Sequence, residues 1–260
     1  MEQKQFQIQA PGYSYMKIYS PSYKRSDGVK THRILPEVVY CVHEFEADKY
    51  KDYNIEVLPD SLRGNIARVR NYIKTELLQG NGLIIDDDIE QITHFTWKDG
   101  LPKGTPVTDC MEFIEQGFTL AEQFGVRLWG LNIVGDKGSY REYTPFSLTN
   151  WISGSFMGFL DHDLAFDERL PLKEDLDLCL QTLNVDRKLL RINYASLRKK
   201  DHGNTGGCAD YRTVQREKEQ MRMFQKKWGK HIVREDKTTK GKKQKSYDIN
   251  PVLNVPIRGV

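Results

Sequence analysis

An α/β fold, a sheet covered on both faces by helices, is the architecture the sequence predicts, and three observations predict it. Short β-branched runs alternate with amphipathic helical segments through the first half of the chain, the pattern of a sheet covered on both faces. The apolar run Leu83-Ile84-Ile85 leads straight into three carboxylates, Asp86-Asp87-Asp88. That puts charge at the carboxyl end of a buried strand, where ligands gather in such sheets. With 260 residues, 38% hydrophobic and 29% charged, the chain can build the core of one large domain or of two interlocked halves.

The elements follow in order. Residues 15–19 alternate like a strand, 38–42 form a continuous β-branched run, and 55–58 form a brief third one; Ser20-Pro21-Ser22 and Pro59-Asp60-Ser61 supply the turns. Ile66, Val69, Ile73, Leu77 and Leu78 recur at helical spacing until Gly80-Asn81-Gly82 stops the helix. In the second half, helices are predicted over 108–124, 172–183 and 212–230, with Gly229 as a stop. Strand-like stretches cover 126–133, 148–159 and 189–197. Beyond Arg234 no regular structure is predicted, although the apolar residues after Pro251 suffice for docking. The expected organisation is one domain over residues 1–235, in two halves over about 13–100 and about 105–235. A basic tail follows over 236–260.

Composition narrows the function classes. No apolar run approaches the ~20 residues a bilayer span needs, and the N-terminus lacks the apolar segment of a signal peptide. The four cysteines are far apart with no Cys-x-x-Cys pair, so they are read as reduced, buried or half-buried residues, and no zinc site is expected from them. The net charge is +3, and residues 234–245 hold six basic against two acidic side chains. Such a cluster suits a polyanion such as DNA, or a solvated tail.

The acidic triplet is the strongest chemical signal. Adjacent carboxylates repel unless a cation or a proton neutralises them, and hard oxygen ligands suit Mg²⁺ or Mn²⁺. In an extended chain Asp86 and Asp88 share one side while Asp87 points away; the alternative is a surface acidic turn or a helix N-terminus. After the first strand, Ser20, Pro21, Ser22, Tyr23, Lys24 and Arg25 are candidates for a nucleotide: Tyr19 or Tyr23 for stacking, Lys24 or Arg25 for phosphate. Arg68 and Asn71 share a helix face, whereas Arg70 reads as solvated. In the glycine-rich stretch 199–207, His202 would complete a metal shell, with Lys199 or Lys200 near the diphosphate and Gly206 allowing close backbone approach. Glu174-Asp175 opens a helix, as a general base or simply as acids favoured by the helix dipole. Trp129, Trp151 and Phe156 are candidates for an acceptor pocket, or core.

These segments occur in the order of GT-A glycosyltransferases: Ser-Pro-Ser after the first strand, Gly64-Asn65-Ile66-Ala67-Arg68-Val69-Arg70-Asn71, the Ile-Asp-Asp-Asp-Ile motif at 85–89, Glu174-Asp175, and His202 with Gly206-Gly207. Over most of residues 13–235 the chain resembles the TET-associated glycosyltransferases, found in phages and related to the enzyme that glucosylates a hydroxymethylated base in kinetoplastid DNA. The resemblance implies a GT-A fold, a single Rossmann-like mixed sheet flanked by helices with a smaller acceptor-side subregion, the donor half over about 13–100 and the acceptor half over about 105–235. It implies a divalent cation (Mn²⁺ or Mg²⁺) and a nucleotide-sugar donor, a UDP-sugar. It also implies transfer to the hydroxyl of a 5-hydroxymethylpyrimidine such as 5-hydroxymethylcytosine in DNA. By position it makes Asp86 and Asp88 the aspartates of the DXD motif, His202 a late metal ligand and Asp175 the base. Glu174 stands beside that base, and Ser20, Pro21, Ser22, Tyr23, Arg25, Arg68, Asn71, Asp87, Lys199 and Gly206 fall to the donor. The expected location is the cytoplasm, that of the host if the protein is phage-encoded. A base at Asp175 suggests inversion at the anomeric carbon, but a late histidine ligand also occurs in retaining enzymes. Competing readings are a GT-A transferase acting on protein, polysaccharide or a small molecule, and a non-catalytic DNA-binding protein. A sugar-nucleotide pyrophosphorylase would want a Gly-rich phosphate loop after the first strand, which Ser20-Pro21-Ser22-Tyr23 does not supply.

Overall fold

The computed structural model describes residues 16–135, 138, 140–199, 207–235, 249 and 251–257. Strands β1 (Ile18–Pro21), β2 (Val39–His43), β3 (Ile55–Leu58) and β4 (Gly82–Ile85) run parallel, in the spatial order β3-β2-β1-β4. Helix α1 (Ile66–Tyr72) precedes β4 and passes into a single π-helical turn over Ile73–Leu77. Its start is fixed by Asn65, whose side chain accepts from the amides of Ala67 and Arg68, as an N-cap does.

The sheet continues through β9 (Phe156–Phe159), β7 (Leu128–Asn132), β10 (Leu190–Lys199), β5 (Ile89–Lys98) and β6 (Leu101–Pro106); the short β8 (Phe146–Ser147) pairs with β10. Strand β9 is antiparallel to β4 and β7, and β5 is antiparallel to β10 and β6, so the sheet is mixed. Helices α2 (Cys110–Phe124), α3 (Glu174–Val185) and α4 (Val214–Trp228) complete the main elements. This is a GT-A-like arrangement, a large mixed sheet flanked by helices. Neighbouring residues of β4 face opposite sides: Leu83 and Ile85 join one core with Ile114 and Phe118 of α2, while Ile84 joins another with Val69 of α1 and Leu178 of α3.

The connection from β4 to β5 shapes the site. The two strands are four places apart in the sheet, about 19 Å at the usual spacing of a flat sheet. The chain makes the passage with Asp86, Asp87 and Asp88 alone, a reach of at most about 14 Å. The sheet must therefore curl. Accordingly, β9 and β7 pair only through Leu128↔Phe159 and Trp129↔Gly158, at the end remote from the triplet.

Three local expectations change. Residues 89–106, unassigned from the sequence, form the β5–β6 hairpin, turned by Asp99 and Gly100 with φ of 55° and 75°. Asp-Gly is the dipeptide that such a turn prefers. Of the stretch 148–159, only Phe156–Phe159 is strand; before it, the Gly154 peptide bonds to an arginine and an aspartate rather than to a neighbouring strand. Past Arg234, β11 (Val233–Glu235) pairs antiparallel with β12 (Pro251–Leu253), so the apolar end of the chain does dock. Cys41, Cys110 and Cys179 are buried free thiols.

Candidate active site

The ends of β1, β4 and β10 and the start of β9 meet at the triplet, because the parallel strands point their carboxyl ends there while β9 runs the other way. Each aspartate has a different environment. The Asp86 amide donates to the Ser155 carbonyl at 3.0 Å. Its carboxylate lies 3.2 Å from Nζ of Lys199 and 3.4 Å from Nη2 of Arg70. Burial pushes this carboxyl up, but Lys199, Arg70 and a bond from Ser155 outweigh burial and hold it below its ordinary value.

Asp87 turns inward. It accepts from Ser22 Oγ at 2.6 Å and from Arg25 Nη1 at 3.1 Å, and burial pushes it up to about 6. Its carbonyl accepts from the amides of Lys30 and Thr31. Asp87 thus ties the triplet to the loop after β1, turned away from the Arg70 and Lys199 side that Asp86 faces. Asp88 is raised by burial and by Asp86. Its Oδ2 is 3.7 Å from Arg25, and its Oδ1 is buried with no hydrogen-bond partner among the described residues.

Behind the triplet, Ser153-Gly154-Ser155 threads between Asp86 and the first turn of α3. The Gly154 carbonyl accepts from Arg70 Nη2 at 2.9 Å and its amide donates to Asp175 Oδ2 at 2.9 Å. Arg70 also donates to Glu174 Oε1. Burial pushes Glu174 up to about 8, with Arg70 opposing. Arg70, read from the sequence as solvated, is 5% exposed and joins Asp86, Gly154 and Glu174. Helical spacing gave it a face of its own, and only the fold reveals that this face meets α3. Asp175 is half-buried, the more accessible of the two acids.

The loop after β1 carries an aromatic cluster that the sequence reading missed beyond Tyr23. Tyr23 packs edge-on against His43 and Phe45, with ring centroids 5.8 and 5.9 Å away, and Arg63 lies over Phe45 at 4.3 Å. The Tyr23 carbonyl accepts from the Gly207 amide at 3.0 Å. Lys199 donates to Ser155 Oγ at 2.7 Å. Both flanks of the segment 200–206 therefore sit at the triplet; His202 and Gly206 themselves lie outside the described residues.

The other expected residues fall as follows. Ser20 is buried in β1 and Pro21 pairs with Cys41 across to β2. Lys24 pairs with Asp210 at 2.7 Å. Arg68 and Asn71 do act together, but their partners lie in the segment 166–168: Arg68 with Glu168 at 3.2 Å, and Asn71 with both backbone groups of Phe166. Trp129 and Phe156 are corrections. At 0% and 2% exposure they pack against each other in the core with centroids 5.2 Å apart, because the strand residues facing α2 point inward. Trp151 is half-buried between two core clusters.

A divalent cation is tested by the donor set. Among the described residues no three His, Cys, Asp or Glu side chains form a ready cluster. Two hard carboxylates with one orphaned buried oxygen fit Mg²⁺ or Mn²⁺, and Lys199 and Arg25 neutralise the same acids meanwhile. No helix among the described residues is long and apolar enough to cross a membrane.

A comparison with curated proteins finds no match. The sheet, the triplet at its carboxyl edge and the acids of α3 nevertheless form one continuous unit, and a family model covers it. That model, described as TET-Associated Glycosyltransferase, matches residues 16–207, from the strand that starts the sheet to the glycine beside Arg25. The chain belongs to the TET-associated glycosyltransferase family and is a glycosyltransferase.

Proposed function

We propose that the protein moves a sugar from a nucleotide-sugar, a UDP-sugar, to the hydroxyl of a 5-hydroxymethylpyrimidine in DNA, with Mn²⁺ or Mg²⁺ as cofactor. The observation that carries the donor side is the buried Oδ1 of Asp88 beside Asp86 at the sheet's carboxyl edge, which has no hydrogen-bond partner among the described residues. Asp86 and Asp88 would hold the cation, with His202 as the further ligand, and it would neutralise charge on the leaving diphosphate. Lys199 and Arg25 flank the same edge and suit phosphate oxygens. The aromatic group around Tyr23 suits a planar base.

Asp175 is the proposed base. It takes the proton of the acceptor hydroxyl as that oxygen bonds to the anomeric carbon; the bond from that carbon to phosphate oxygen breaks, and the nucleoside diphosphate leaves with the electron pair. Glu174 is committed to Arg70, and Asp175 is bonded to the Gly154 and Leu176 amides. Those two amides orient Asp175. A base within duplex DNA must be flipped out to present its hydroxymethyl group.

The test is incubation with Mn²⁺, several UDP-sugars, and DNA with or without 5-hydroxymethylpyrimidines, followed by mass spectrometry of the nucleosides. A hexose-sized addition only on the modified DNA is expected. Donor turnover without a DNA product overturns the acceptor and favours a transferase for another acceptor. DNA binding with no donor binding overturns the whole reading.

A further inference from the structure

Helix α4 carries two contrasting rows of charge. On the face toward α3 the charges are matched. Glu217 accepts from Lys173 at 2.8 Å and pairs with Arg212 at 3.2 Å, while Lys227 reaches Asp177 at 2.8 Å and Asp167 at 2.9 Å. The apolar residues of that face, Met221 and Phe224, are buried against Leu170, Leu176 and Leu180. On the outer face Lys218, Arg222 and Lys226 are exposed and carry no ion pair among the described residues. They stand at i, i+4 and i+8, so each is about 6 Å further along the axis. Glu219, the acid beside the row, is engaged by Gln215. Past Gly229 the exposed Lys230 and Arg234 extend the positive surface.

A regular line of unpaired cations meets a regular line of anions. A bilayer is the poorer partner, because an interfacial helix needs its apolar face for the lipid and the apolar face of α4 is already spent inside the protein. A nucleic-acid backbone asks for what remains: evenly spaced positive charge along one edge. The row also begins one residue from Glu217, which is bonded to Lys173, next in sequence to Glu174 and Asp175.

We propose that the outer face of α4, through Lys218, Arg222 and Lys226, grips the phosphate backbone of the DNA that carries the acceptor base. The proposal rests on the DNA reading above for its purpose and on α4 alone for its physics. It moves the main DNA contact from the basic stretch after Arg234 to a helix braced against the acids of α3.

The experiment is fluorescence anisotropy of a short labelled duplex over a salt series, with the full chain and two triple variants. One is K218Q/R222Q/K226Q. The other, K51Q/K98Q/K103Q, removes the same charge from exposed lysines elsewhere. In the first, the slope of log affinity against log salt should fall by about 2.7, at about 0.9 per lost phosphate contact, and affinity near ~0.1 M salt should drop on the order of 100-fold. The second should keep the wild-type slope. Equal loss in both variants, or no loss in the first, overturns the proposal. So does loss of binding to phosphatidylserine vesicles with duplex binding unchanged. R222Q alone, expected to lower the slope by about 0.9, covers any folding defect of the triple variant. Sugar transfer to a free 5-hydroxymethyl nucleoside, measured in parallel, should be unaffected. If the unaltered protein transfers no sugar to modified DNA but the slope changes as stated, the functional reading fails and the α4 contact stands.

Discussion

A Cβ built on Gly154 would stand 2.3 Å from Nη1 of Arg70, so this position admits glycine alone while the guanidinium keeps its place. Gly154→Ala must displace Arg70 or the 153–155 segment, loosening Asp86 and Asp175 together. It should cost about 1–3 kcal/mol of stability, as overpacking does, measurable by thermal unfolding. Transfer should fall on the order of 100-fold, the usual effect of misplacing reacting groups by about 1 Å. Full activity in a stable Gly154→Ala protein would detach Arg70 from the site.

Asp88→Asn should separate stability from catalysis. Burial and the Asp86 charge both disfavour an ionised Asp88, so without added metal the variant should melt at or above the wild type. With Mn²⁺ at about 100 times its Kd the wild type should gain about 2.7 kcal/mol, and Asp88→Asn should gain much less. Equal gains in calorimetric scans would remove Asp88 from the metal site.

Glu174 makes stability depend on pH. Its folded pKa, about 8, lies above the ordinary 4.5. Between about pH 4.5 and 8 the unfolded chain has released this proton while the fold keeps it, so stability falls as pH rises. Glu174→Gln should flatten the melting-temperature profile above pH 6. A fall should remain below pH 6, from Asp87, whose carboxyl is likewise raised, from 3.8 to about 6.

The catalytic assignment divides two neighbouring acids. Asp175→Asn should lower transfer about 10²–10⁴-fold, the range of a general base, with donor affinity by calorimetry unchanged. Glu174→Gln should keep more of the activity, since its amide oxygen can still accept from Arg70.

Much of the fold was legible in local pattern: the runs at 38–42 and 55–58 and the helix predicted over 108–124 each announce their element. The triplet was legible because three like charges after Ile84-Ile85 have no cheap structural excuse. Arg70 was not, because its partners Asp86 and Glu174 are 16 and 104 residues away and only tertiary packing brings them together. The β5 strand hid because its burial repeats every third residue rather than every second; the Asp99-Gly100 turn was the signal available. Trp129 and Phe156 misled, since aromatic residues among glycines suit a pocket wall as well as a packed core.

The glycines around Trp129 mark which reading holds. A Cβ on Gly117 would meet its ring at 2.2 Å and one on Gly158 at 2.1 Å, so the indole fills a slot cut for it. Trp129→Ala should cost about 3–5 kcal/mol by denaturant unfolding. A Trp129→Phe protein that still folds should keep its acceptor KM; a selective rise in that KM would return the residue to the acceptor site.

The three-residue passage from β4 to β5 has no slack. Side chains there can be exchanged, but the length of the segment cannot change without pulling two strands out of register. An insertion would let the sheet relax and part Asp86 from Lys199, while a deletion would strip pairs from one strand end. Diversification of this enzyme is therefore held to a fixed count at the acids.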